Sequence, residues 1–204
     1  NLRGKLHLHI AQAEAVTTEA HDFKGNPQRA TRRLTSGTQY KQAVDWHSVE
    51  AADLVTLEAA LAPRLEADTY TSHTTFDALN RPLTLTTPHT PTMQPNVIRP
   101  GYNEANLLER VDANLRGATD NGQPLWTPFV TNIDYDAKGQ RQRIDFGNGA
   151  STSYDYDPLT FRLVHLLTRR NGVAFPGDSD LAPPGWPGSQ LQNLHYTYDP
   201  AGNI

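Results

Sequence analysis

One short pattern recurs along the chain and limits what it can fold into. It is an aromatic residue or His, then Asp or Asn, two variable residues, and Gly or Asn, followed by alternating polar and apolar residues. It reads His21-Asp22-Phe23-Lys24-Gly25-Asn26, Phe76-Asp77-Ala78-Leu79-Asn80-Arg81, Tyr102-Asn103-Glu104-Ala105-Asn106, Tyr135-Asp136-Ala137-Lys138-Gly139-Gln140 and Tyr198-Asp199-Pro200-Ala201-Gly202-Asn203. Tyr156-Asp157-Pro158-Leu159-Thr160 is a weaker copy, and Ile10-Ala11-Gln12-Ala13-Glu14 reads as a decayed one. Asp or Asn can hydrogen-bond the backbone two residues on, and Pro after it presets φ for a turn. Gly or Asn at the last position accepts a positive φ that a bulky side chain resists. Each copy therefore predicts a strand, a turn and a second strand, with the aromatic ending the first strand against the neighbouring unit.

The flanking residues alternate as strands should. Leu83 and Leu85 oppose Thr84 and Thr86, and Ile144 and Phe146 oppose Arg143 and Asp145. Gly147-Asn148-Gly149 separates the runs Gln142–Phe146 and Ser151–Tyr156 as a hairpin turn. The aromatic positions lie 55, 26, 33, 21 and 42 residues apart, so the unit is about twenty-one residues with insertions. The expected fold is all-β: an extended, curved antiparallel strip of hairpins over residues 1–204.

Two stretches interrupt the pattern. Residues 45–66 read as a helix-like insertion, with Ser48 as N-cap, Glu50 in the first turn, a stripe of Leu54, Leu57 and Leu61, and Pro63 as the stop. Residues 171–189, with Pro176, Pro183, Pro184 and Pro187, read as a Pro/Gly-rich loop. Pro88, Pro91 and Pro95 mark a shorter connection. The start has no initiator Met or signal-like run and the end stops in a turn signal, so the chain reads as an internal piece of a longer one.

Composition narrows the chemistry. With no cysteine, disulfides and thiolate chemistry are out. A formal charge of -4 with dispersed basic residues points away from nucleic acid. No apolar run is long enough for a helical membrane span. Asp134/Asp136 and Asp155/Asp157 have strand spacing that could pair two carboxylates for glycoside chemistry, but Asp136 and Asp157 occupy the turn position, which favours turn formation. His7 and His9 could share a face, yet no third metal ligand lies nearby. No serine sits in a G-x-S-x-G context. The aromatics before the turns read as packing, and Trp186 is the best candidate for an exposed contact. No cofactor or catalytic residue is expected. The residues expected to matter are the turn set Asp22, Gly25, Asp77, Asn80, Asp136, Gly139, Asp157, Asp199 and Gly202.

These copies resemble the YD repeats of RHS proteins. Asn1-Leu2-Arg3-Gly4-Lys5, the copies at 21–26 and 76–82, and the run from Val130 through Tyr156-Asp157-Pro158-Leu159-Thr160-Phe161-Arg162-Leu163 are similar to the B component of bacterial insecticidal toxin complexes. The resemblance implies part of a hollow shell, in a secreted complex, that encapsulates a toxic polypeptide for delivery into host cells. Its implied partners are the C component with its enclosed toxic segment and, through other domains, a pore-forming A component. A surface adhesion or carbohydrate-binding module on the same repeats is the alternative.

Overall fold

A computed structural model describes residues 4–37, 43–50, 52–53, 55–171 and 190–204. The strands are β1 (Leu8–Ile10), β2 (Glu14–His21), β3 (Pro27–Leu34), β4 (Tyr70–Phe76), β5 (Pro82–His89), β6 (Val97–Tyr102), β7 (Leu108–Asn114), β8 (Thr119–Asp120), β9 (Gln123–Pro124), β10 (Thr127–Tyr135), β11 (Arg141–Phe146), β12 (Ala150–Tyr156), β13 (Leu163–Arg170) and β14 (Gln190–His195). The fold is all-β, as the alternation predicts. Twelve strands hydrogen-bond in the order β1-β2-β3-β4-β5-β6-β7-β10-β11-β12-β13-β14, and β8 pairs only with β9. The chain forms two compact units, Asn1–Arg99 with Asn114–Leu125, and Pro100–Ala113 with Trp126–Ile204.

In the first unit, β2–β3 and β4–β5 are antiparallel hairpins closed by the Asp22 and Asp77 turns. Its core is a small cluster of Ala15, Val49, Leu61 and Leu65, with Leu8, Ile10, Trp46, Leu57 and Ala60 packed on it. The helical residues thus cover one face of β1 and β2. The sequence predicts one helix over residues 48–61, but the structure has two short ones, α1 (His47–Glu50) and α2 (Leu57–Leu61), followed by a 3-10 turn, Ala62–Arg64. Two aspartates explain the difference. Asp45, not Ser48, accepts the N–H of His47 at 2.9 Å. Asp53 accepts the N–H groups of Val55 and Thr56, at 3.0 and 2.8 Å, starting a new helical turn.

In the second unit, β10–β11 and β12–β13 are hairpins of the same kind, joined by β11–β12 pairing. Ile133, Ile144 and Thr152 are directly opposed across three strands and buried. The opposite face carries Arg143, Asp145, Ser151 and Ser153 in the same registers. Most of Arg143 stays in water. Gly147 has no substitute in its hairpin, because a Cβ there would collide with the Pro128 carbonyl.

The buried cluster of the first unit should tolerate little truncation. Leu61→Ala is expected to cost about 2–5 kcal/mol, read by denaturant unfolding followed through Trp46 fluorescence. An unchanged midpoint would mean that the cluster does not anchor the helices.

Candidate functional site

The repeated element is a turn built around one carboxylate. In four copies the Asp N–H donates to the carbonyl four residues on, and the residue three on donates back to the Asp carbonyl. The pairs are Asp22 with Asn26 and Gly25, Asp77 with Arg81 and Asn80, Asp136 with Gln140 and Gly139, and Asp199 with Asn203 and Gly202. Asn103 does the same with Leu107 and Asn106. The side chain completes the turn. Oδ1 accepts the N–H two residues on at Asp22, Asp77 and Asp136, at 2.7–2.9 Å. The same oxygen accepts the N–H four residues on at 2.8–2.9 Å, here including Asp199. Gly25, Asn80, Asn106, Gly139 and Gly202 all take positive φ, between 64° and 96°.

The Asp157 copy is one residue longer. Its N–H reaches the Arg162 carbonyl, and Phe161 takes the positive φ at 59°. Thr160 stands where the other copies have Gly or Asn, and a β-branched residue is a poor occupant of that region. The turn therefore adds a residue, while Thr160 gives both its N–H and its hydroxyl to Asp157, at 2.7 and 2.9 Å.

These bonds hold several carboxylates below the ordinary aspartate range. The largest contribution comes from the Arg81 N–H at Asp77, the Thr160 N–H at Asp157 and the Asn203 side-chain amide at Asp199. At Asp22, desolvation pushes upward and is outweighed by bonds from Asn26, Lys24 and Gly25.

Sequence reasoning missed how the hairpins are tied together. The register slips by one residue just before the turn aromatic in the hairpins closed at Asp22, Asp77, Asp136 and Asp157, between Ala20/His21, Thr75/Phe76, Asp134/Tyr135 and Asp155/Tyr156. Such a bulge places two residues opposite one and re-aims the neighbouring side chain. The second strand carries the extra residue, Leu83 in β5, which is 46% exposed despite its place in an alternating run. In the second unit three of the turn tyrosines donate their hydroxyls to the hairpin before them. Tyr135 reaches the Leu108 carbonyl at 2.6 Å, Tyr156 that of Arg141 at 2.9 Å, and Tyr198 that of Leu163 at 2.8 Å. In each case the acceptor is the first strand residue after the preceding turn. Side chains add contacts from turn to turn. Asn26 donates to Asn80 at 2.9 Å, Lys24 donates to the Ala78 carbonyl, and Gln140 donates to the Phe161 carbonyl at 2.8 Å.

Among the described residues the insertions lie at the other ends of the hairpins. The helical residues lie between β3 and β4, and the connection with Pro91 and Pro95 between β5 and β6. The β8–β9 hairpin lies between β7 and β10. Its Asn121-Gly122 turn, at φ of 48° and 79°, is a strong hairpin signal that the repeat reading passed over. Buried Asn114 secures its base by donating to the Ala118 and Leu125 carbonyls at 2.6 and 2.7 Å.

The remaining candidates disperse. Asp136 and Asp157 are committed to their turns, Asp134 accepts from Asn132, and Asp155 meets His165. His7 contacts the Thr18 carbonyl through Nδ1. Among the described residues no group of three His or acidic side chains could hold a metal ion. Trp186 and nearly all of the 171–189 stretch lie outside the described residues.

Comparison with known proteins agrees with the repeat. No family model matches the chain. It is 27% identical over its full length to toxin subunit YenC2 of Yersinia entomophaga, and 28% identical over 73% of its length to toxin subunit YenC1 of the same organism. It spans only 18% and 13% of those proteins. Among solved structures, the TcdB2-TccC3-Cdc42 crystal structure matches 98% of this chain and 8% of that one, at 29% identity and a TM-score of 0.66. The Photorhabdus luminescens Tc holotoxin pore gives the same figures. The resemblance to RHS/YD-repeat Tc toxin components therefore holds, and the chain is similar to such a component along nearly its whole length.

Two outcomes follow for the turns. Gly139→Val should cost about 1–2 kcal/mol for a side chain at positive φ, while Gly139→Asn should be nearly silent, since Asn80 and Asn106 already fill that place. Equal losses in denaturant unfolding would contradict this. A carboxylate held low in the folded state adds stability above its unfolded value, near 3.9, and loses it as pH falls through the folded value. Carboxyl NMR should therefore give midpoints for Asp77, Asp157 and Asp199 below that of an unstructured peptide, and peptide-like midpoints would refute the carboxylate's role.

Proposed function

We propose that this chain is a wall segment of a hollow β-strand shell that encloses a toxic polypeptide in a secreted, insecticidal-type toxin complex. The observation that carries the reading is the match over 98% of the chain to a TcdB2-TccC3 structure. The physics of a wall fits it. Hairpins laid side by side satisfy backbone groups on both flanks, and closing the strip removes the exposed edges that invite aggregation. The turn set Asp22, Gly25, Asp77, Asn80, Asp136, Gly139, Asp157, Asp199 and Gly202 holds the strip's geometry in this reading, and no residue has a catalytic part. The partners are the C component with its enclosed toxic segment, and a pore-forming A component engaged by regions outside this chain.

The test is limited proteolysis with mass spectrometry on the longer parent chain, co-expressed with its cargo-bearing partner. The cargo should survive digestion when this region is present and be degraded when it is deleted. Equal degradation in both would remove the wall reading, and binding on glycan arrays would then favour the adhesion alternative.

A further inference from the structure

A row of side chains on the polar face of the second unit is arranged for one protonation state. Asp155, His165 and His195 are directly opposed across β12, β13 and β14. His165 Nδ1 lies 2.9 Å from Asp155 Oδ2, and its Nε2 lies 2.7 Å from Asn193 Oδ1. The Asn193 amide nitrogen is turned away, donating to Gln190 Oε1 at 3.3 Å. A carboxylate oxygen and an amide oxygen can only accept here, and a neutral imidazole has a single N–H. With the Asn193 amide oxygen facing the ring, satisfying both contacts takes two ring N–H groups, the pattern of an imidazolium.

We propose that His165 is a protonation-operated clasp that fastens β14 to β12 and β13. When the ring loses its Nε2 proton, Nδ1–H stays on Asp155 and the bare Nε2 faces Asn193 Oδ1, acceptor against acceptor. Relief comes from turning over the Asn193 amide, at the expense of its Gln190 bond, or from β14 moving away. Among the described residues β14 pairs with β13.

The groups around the ring set the direction of the response. Asp155 from β12 is the facing anion. His195 from β14 stacks on the ring, centroids 4.2 Å apart and planes 10° from parallel. Arg169, on β13 itself, opposes the charge. The Asn193 and Asp155 hydrogen bonds outweigh it and raise the His165 pKa. A group raised on folding contributes its full stabilisation below the unfolded value, near 6.5, and loses it as pH rises through the folded value.

The experiment is a histidine NMR titration of this chain in the His195→Phe background, which keeps a stacked ring and removes the neighbouring titration, with the His165 signal identified among the seven remaining histidines by its loss in His165→Gln. Hydrogen-exchange protection factors for β14 amides are measured over the same pH range. Expected are nitrogen shifts showing both ring nitrogens protonated at low pH, a midpoint above that of free histidine, and a several-fold loss of β14 protection across it. Asp155→Asn and Asn193→Leu should each lower the midpoint, and His165→Gln should flatten the protection profile. A midpoint at or below that of free histidine would overturn the clasp. So would a His165→Gln profile that keeps the wild-type pH dependence.

Discussion

The structure rests on one carboxylate oxygen accepting two backbone N–H groups, two and four residues ahead of it. In a hairpin turn those N–H groups point inward and would otherwise need water. An aspartate at the first position satisfies them from within the chain, and each turn closes without help from a neighbour. This matters for a protein with so little interior. Among the described residues, no large side chain is fully buried, and the clusters of low exposure consist of a few residues each. Most of the order therefore comes from hydrogen bonds placed by local sequence.

Local turns alone would give a row of independent hairpins, each marginal in water. The bulge before His21, Phe76, Tyr135 and Tyr156 re-aims those side chains. In the second unit the tyrosine hydroxyl then makes a bond that joins one hairpin to the one before it. In the first unit His21 and Phe76 take the aromatic position without a hydroxyl. There the turns meet through Asn26 on Asn80 and Lys24 on Ala78 instead. Two chemistries thus serve the same connection.

What could be read from the sequence follows the range of the interaction. The Asp22, Asp77, Asp136 and Asp199 turns are legible because donor, acceptor and positive-φ residue lie within five positions of one another. The Asp157 turn was legible in kind but not in length, since the extra residue depends on Thr160 refusing a backbone region that Phe161 then accepts. The broken helix was missed because Asp45 and Asp53 compete locally for backbone N–H groups, which a leucine stripe does not reveal. The bulges and tyrosine ties were illegible for a different reason. Their partners lie 15 to 35 residues away, across insertions of varied length.

The uneven spacing of the repeats has a simple origin in this connectivity. In each unit the aspartate turns close one end of the hairpins, and the helices, the β8–β9 excursion and the long connections all leave from the other. Strand phase is fixed at the first end, so chain added at the second changes neither pairing nor face. Within each unit the turn ends of the hairpins are thus uniform in form while the other ends differ in content. New loops can be acquired there by drift or by grafting, at little risk to the register of the strands that carry them.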